Sequence, residues 1–188
     1  KYEKINIKIE TNTSGDGFEF KNNAGQDEIP KDFISSIQQG VEDAATSGVL
    51  GGYPVIDIVV TIESGRFHQE DSDDLSFKIA ASSALKKGLQ EAGPILKEPV
   101  MKVEVITPEE FMGDILQDIN ARRGRTREME PSLGNTQCLT ALVPLAEMFE
   151  YATNIRNRSQ GKATYSMEFH SYQKVPPDVS DELLGKSA

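Results

Sequence analysis

Residues 53–74 read YPVIDIVVTIESGRFHQEDSDD, and the fold turns on how this stretch is read. Val55, Ile56, Ile58, Val59, Val60 and Ile62 form a nearly continuous β-branched run, broken only by Asp57 and Thr61. Such a run predicts a strand over residues 55–62 that is covered on both faces. Ser64-Gly65 is a turn signal that closes it. A polar loop follows, with His68, one of two histidines in the chain, among Arg66, Gln69, Glu70, Asp71, Asp73 and Asp74. A rigid buried strand feeding an exposed loop is how a fold holds a functional segment in place.

Outward from this strand, the first half of the chain reads β-β-α-β-α. Ile5, Ile7 and Ile9 alternate with Asn6, Lys8 and Glu10, which predicts a strand with one wet face. Ser14-Gly15-Asp16-Gly17 is a turn, and residues 18–21 return. Pro30 suits the first turn of a helix along residues 31–46, where Phe33, Ile34, Ile37 and Val41 recur at helical spacing before Gly48. After the polar loop, Ser72 or Asp73 caps a helix to about Glu91, with Phe77, Ala80, Ala81, Ala84 and Leu85 as its apolar stripe. Gly93-Pro94 ends it.

The second half reads β-α-β-β-α-β. Residues 100–106 alternate as a strand. Thr107-Pro108-Glu109-Glu110 has the form of a helix start, with Thr107 as N-cap and Glu110 closing a capping box. Residues 125–130 and 136–143 are strands around a turn. Residues 145–157 form an amphipathic helix on Leu145, Met148, Phe149, Ala152 and Ile155, and Ala163, Tyr165, Met167 and Phe169 alternate in a last strand. The tyrosines and phenylalanines at strand spacing are expected in the core. The expected fold class is α+β, with two α/β-sandwich domains. The second, at residues 99–175, has the ferredoxin-like order βαββαβ. The first is residues 1–98, and residues 176–188 form a tail.

The chain has 188 residues and a net charge of −10. That balance argues against a general nucleic-acid coat, so any RNA contact must be local. Cys138 is the only cysteine, which excludes an internal disulfide and a cysteine-based zinc site and fits a reducing cytosol. No apolar run reaches the length of a membrane span. The chain opens without Met on a strand-like segment, so it reads as a fragment of something longer. Neither a P-loop nor a dinucleotide-binding glycine motif is present.

His68 alone reads as a solvated loop histidine beside carboxylates. A Ser72-His68-Asp71 triad has no oxyanion hole or nucleophile elbow to support it. Asp71, Asp73 and Asp74 do not follow the Ca²⁺-loop pattern, and helix capping accounts for Asp73 and Asp74 better. Arg122, Arg123, Arg125 and Arg127 form the densest basic cluster, and Arg156, Arg158 and Lys162 repeat the pattern after the next helix. They read either as cations closing helix ends and pairing with Glu128 and Glu130, or as phosphate contacts.

GYPVIDIVVTIESGRFHQEDSDDLSFKIAASSALK, at residues 52–86, resembles the fourth domain of bacterial translation elongation factor G. In that family a strand runs to a loop of the form (S)-Y-H-E-V-D-S and then to a helix with an A-F-K-like segment. Phe67-His68-Gln69-Glu70-Asp71-Ser72 and Ser76-Phe77-Lys78 stand there here. KEPVMKVEVITPEEFMGDILQDINARRGR (residues 97–125), PLAEMFEY (144–151) and QGKATYSMEF (160–169) resemble its fifth domain. The resemblance implies a ribosomal-protein-S5-domain-2-like ββαβα first domain. It also implies a translational GTPase parent whose GTP and Mg²⁺ lie in an N-terminal part, a cytoplasmic monomer that contacts both ribosomal subunits, and no cofactor in this fragment.

On the same ground, Arg66, Phe67, His68 and Gln69 are expected to touch tRNA and mRNA during translocation. Arg122, Arg123, Arg125, Arg127, Arg156, Arg158 and Lys162 are the expected rRNA contacts. A recycling or ribosomal-protection factor with the same arm is the alternative. Lys1-Tyr2-Glu3-Lys4-Ile5, where the family has a Q-Y-G-H-V-like segment, and Gln69, where Glu is common, mark a divergent paralogue.

Overall fold

In the computed structural model, which describes residues 4–67 and 73–185, β1 (Lys4–Thr11) and β2 (Glu19–Asn22) flank a central strand, β3 (Ile58–Arg66). β1 runs antiparallel to β3, and β2 runs parallel to it. A parallel neighbour requires a crossover, and helix α1 (Lys31–Ser47) supplies it. Helix α2 (Asp74–Glu91) lies beside α1. Ile58, Val60 and Ile62 of β3 pack with Ile37 and Val41 of α1 and Phe77 of α2.

The other face of β3 is covered differently. Val59 and Thr61 are buried between Lys8 and Glu10 on β1 and Glu19 and Lys21 on β2. Those charges pair along their own strands, Lys8 with Glu10 at 2.8 Å and Lys21 with Glu19 at 3.2 Å. Their aliphatic stems cover the apolar strand while the charged ends stay in water. The two-sided burial expected of this strand is therefore met by helices on one side and side-chain stems on the other.

Both ends of β3 differ from expectation. Asp57 adopts φ +56°, its side-chain Oδ1 accepts from Gly17 N–H at 2.9 Å, and its carbonyl accepts from Asn12 N–H at 2.7 Å. This turn delays the strand to Ile58. Val55 instead donates its N–H to the carbonyl of Ala45. Ser64-Gly65 does not turn: Gly65 pairs with Ile5 and Arg66 with Lys4, beyond a bulge between Asn6 and Ile7. A Cβ at Gly65 would lie 2.4 Å from Ile29 Cδ1, so this glycine marks a close approach of buried Ile29.

The second unit comprises Leu96–Ser180; residues 181–185 belong with the first, whose other described part ends at Ile95. It contains β4 (Lys97–Pro108), α3 (Met112–Ala121), β5 (Arg125–Ser132), β6 (Thr136–Pro144), α4 (Tyr151–Arg158) and β7 (Thr164–Lys174). A short helix, α5 (Pro177–Leu183), follows. The sheet order is β5-β6-β4-β7 with antiparallel neighbours throughout, the ferredoxin-like arrangement. Val103, Val105, Leu139 and Val143 pack with Ile115 and Ile119 of α3 and Tyr151 and Ile155 of α4.

Three details correct the sequence reading. Thr107 and Pro108 continue β4, and Glu109–Phe111 form a single 3₁₀ turn without a side-chain cap. The helix expected from residue 145 begins at Tyr151, after a 3₁₀ turn at Leu145–Glu147. Phe149 between them is 80% exposed. Phe169 and Tyr172 of β7 are exposed rather than core residues, because β7 is an edge strand.

Candidate nucleic-acid interface

The segment between β3 and α2 is held at both described ends. Phe67 directly follows β3, and its ring lies 5.5 Å from Phe33 of α1. Phe33 in turn lies 4.9 Å from Phe77, one turn into α2. At the other end Asp73 caps α2, its Oδ1 accepting from Ser76 N–H at 2.7 Å, so of the two expected caps Asp73 is the one observed. Ser36 Oγ on α1 donates to Asp74 at 2.7 Å and ties the two helices there. Three aromatic rings and one cap thus fix the points where residues 68–72 leave and rejoin the fold. His68 and Gln69 lie outside the described residues, as do Glu70, Asp71 and Ser72. Arg66 is exposed. Phe67 is partly buried, packed against the first unit's core.

The arginine cluster of the second unit divides into structural and exposed members. Arg122 is only 9% exposed. Its Nε donates to Asp118 Oδ2 at 2.9 Å, and its Nη1 donates to the carbonyls of Glu147 and Phe149. Its guanidinium carbon sits 5.1 Å from the centre of the Tyr151 ring. A buried cation must find such partners, since an unpaired one costs several kcal/mol. Asp118 also receives Arg158 Nε at 3.4 Å, so one buried carboxylate joins the ends of α3 and α4. Burial, then the Asp118 charge, pushes the Tyr151 phenol well above its ordinary pKa.

Arg123 forms a bidentate pair with Glu98, at 2.8 and 2.9 Å, and a further bond to Glu147 at 2.8 Å. The hydrogen bond to Glu98 is the largest cause of its raised pKa. Lys162 pairs with Glu110 at 2.9 Å and lies over Phe111. Arg125, Arg127 and Arg156 are exposed and make no ion pair among the described residues; Arg158 is exposed on one side of its Asp118 contact. The expected partners Glu128 and Glu130 pair with none of the arginines among the described residues. Arg122 is thus a buried tie rather than a surface contact, and the half-buried Arg123 is engaged by two carboxylates. Among the described residues, no group of His, Cys, Asp and Glu could hold a metal ion, and no helix is long and apolar enough to cross a membrane.

Comparison with known proteins matches both units. The family described as "Elongation factor G, domain IV" matches residues 1–93, and "Elongation factor G C-terminus" matches residues 95–183. The chain belongs to the elongation factor G family. A crystal structure of a protein from Thermus thermophilus superposes with a TM-score of 0.85 at 36% identity over 97% of this chain. The chain spans 27% of the length of that protein, so it corresponds to a part of it.

In elongation factor G terms, the ββαβα unit is domain IV and the ferredoxin-like unit is the C-terminal domain. The junction between the two family matches, at residues 93–95, falls beside the division between the units. Sequence reasoning missed the roles of Phe33 and Phe67. The signal was present in Phe67 and Phe77, which flank the 68–72 segment in sequence, and in Phe33 in the first turn of α1. It also missed Asp118, whose spacing of four residues from Arg122 on one helix is that of an ion pair.

Proposed function

We propose that this chain is the ribosome-binding arm of a translational GTPase and that it promotes tRNA–mRNA translocation by position rather than by covalent chemistry. The observation that carries the reading is that domain IV and the C-terminal domain of elongation factor G together match nearly the whole chain. The anchored ends of the 68–72 segment support it. A segment that must displace an RNA ligand has to transmit force to a stiff body, and the Phe33–Phe67–Phe77 cluster supplies that footing.

In this reading Arg66, His68 and Gln69 meet tRNA and mRNA. An imidazole stacks on a base or donates to a phosphate at no cost in bulk charge. Arg125, Arg127, Arg156 and Arg158 meet rRNA phosphates, where each planar guanidinium offers paired donors. GTP and Mg²⁺ are held by another part of the parent protein, since this sequence has no P-loop.

Tethered-iron cleavage tests the placement. Arg66→Cys in a Cys138→Ser background, charged with an iron chelate and bound to ribosomes, should cut small-subunit rRNA around the decoding region. Cuts confined to the large subunit, or none from a protein shown to be bound, would contradict the proposal.

A further inference from the structure

Helix α2 is apolar on two faces. Phe77, Ala81 and Leu85 belong to the first unit's core. Leu75 and Ile79, four residues apart, are instead 64% and 56% exposed. Ser82, Ser83 and Lys86 continue this outward stripe at helical spacing. The stripe is one wall of a groove in the first unit, and Gly40 and Asp43 of α1 line the other side. Ser36 bonds Asp74, and Gly40 lies against Lys78 one turn further along both helices, so α1 and α2 run in the same direction. Gly40 is buried and brings no side chain, and Ser82 and Ser83 are small, so the middle of the groove admits the close approach of another backbone. Its charge is uneven. Lys78 is neutralised by Asp43 at 2.8 Å. Lys86, two turns beyond, is exposed and makes no ion pair among the described residues. The groove thus runs from an apolar end at Leu75 and Ile79, past small side chains, to an unneutralised cation at Lys86, about 16 Å away along α2.

We propose that this groove docks an amphipathic helix of a partner protein, one with acidic residues in its first turn and apolar residues two and three turns later. Lying antiparallel to α2, such a helix sets its acidic turn against Lys86 and its apolar residues against Ile79 and Leu75. Carboxylates in a first turn also complement the partial positive charge of their own helix N-terminus, so the occupant is stabilised by the same residues that recognise Lys86. Apolar burial supplies the affinity, and charge complementarity fixes the direction. An RNA strand fits the groove less well. Asp43 repels phosphate and neutralises Lys78, and Leu75 and Ile79 offer a phosphate no donor. These residues are distinct from the loop and the arginines assigned to RNA, so docking here does not rest on the ribosome reading.

Titration of the isotope-labelled chain with a synthetic helix about four turns long, read by backbone amide shifts, tests it. The probe carries glutamates in its first turn and leucines two and three turns later; a control peptide has lysines in place of the glutamates. The glutamate peptide should bind saturably and move the amides of Gly40, Ile79 and Ser83. The lysine peptide should bind roughly 10-fold more weakly, having exchanged an attraction for a repulsion at Lys86. Lys86→Glu should reverse the preference between the two peptides. Ile79→Ser should weaken both by roughly 10-fold, through lost apolar burial. Both positions are exposed, so melting should be unchanged in both variants. Failure of both peptides to bind, equal affinity of the two for wild type, or shifts scattered away from the groove would overturn the proposal. An oligouridylate that moves the same amides when neither peptide does would also overturn it, and would assign the groove to RNA.

Discussion

Gly40 lies in the middle of α1 where that helix meets α2. A Cβ built there falls 2.3 Å from the carbonyl oxygen of Lys78 and 3.0 Å from its carbon, both backbone atoms of α2. No rotamer change can relieve such a contact. Ordinary van der Waals separation begins near 3.4 Å, so Gly40→Ala must part the helices by about 1 Å. Overpacking of this kind costs about 3 kcal/mol, the upper end of the usual range because backbone must move. Alanine returns about 1 kcal/mol through its better helix propensity. The net loss of about 2 kcal/mol corresponds to a fall in Tm of about 10 °C for a unit of this size. Calorimetry on the full chain reads this as a shift of the first unit's transition. Gly113→Ala is the control, since nothing lies within 4 Å of the added methyl on α3; it should hold or slightly raise the second transition. An unchanged or raised first transition for Gly40→Ala would refute the close-approach argument. The consequence reaches the candidate site, because parting α1 from α2 separates Phe33 from Phe77 and loosens the footing of residues 68–72.

Three further outcomes follow from the second unit. Arg122→Met should cost about 3–5 kcal/mol, because Asp118 keeps only the longer Arg158 contact and two carbonyls lose their donor; thermal unfolding measures it, and a loss under about 1 kcal/mol would contradict the buried network. Glu150 sits at φ +56° at the start of α4, so Glu150→Gly should stabilise by roughly 1 kcal/mol in urea unfolding, and a destabilised variant would show that its side chain is needed there. The Tyr151 hydroxyl is buried with no hydrogen-bond partner among the described residues, so Tyr151→Phe should be neutral or stabilising by about 1 kcal/mol. The same variant tests the raised phenol pKa. Wild type binds the proton more tightly when folded, so its contribution is complete below about pH 10 and is lost as pH rises above that value. Tyr151→Phe should lack that alkaline loss, and identical alkaline profiles for the two proteins would contradict it.

The fold was legible wherever a single periodicity governed an element. Ile5-Ile7-Ile9 and Ile58-Val60-Ile62 each carry their own pairing information, and the capping carboxylate of Asp73 announces α2. Legibility failed where a residue answered to a partner distant in sequence. Gly65 has the local signature of a turn, yet it is a strand residue because Ile29, thirty-six positions earlier, needs the space. Thr107-Pro108-Glu109-Glu110 has the form of a capping box, yet pairing of Thr107 and Pro108 with Gln137 and Thr136 extends β4 through it. The candidate site shows the same division. The sequence located the arginines, but only the positions of Asp118, Glu98 and Glu147 separate the ion-paired Arg122 and Arg123 from the exposed Arg125, Arg127 and Arg156. The aromatic pattern of β7 could not reveal that the strand lies at a sheet edge, since edge or centre is a property of topology.

Single-turnover translocation by the full parent protein with His68→Ala, alongside its ribosome-stimulated GTP hydrolysis, addresses the proposed arm most directly. Loss of one base-stacking or phosphate contact is worth about 1–3 kcal/mol, so translocation should slow roughly 10- to 100-fold. GTP hydrolysis should keep its wild-type rate, because the proposed function puts the nucleotide site in another part of the parent protein. Wild-type translocation, or an equal loss of both activities, would contradict the assignment of this loop as the working end.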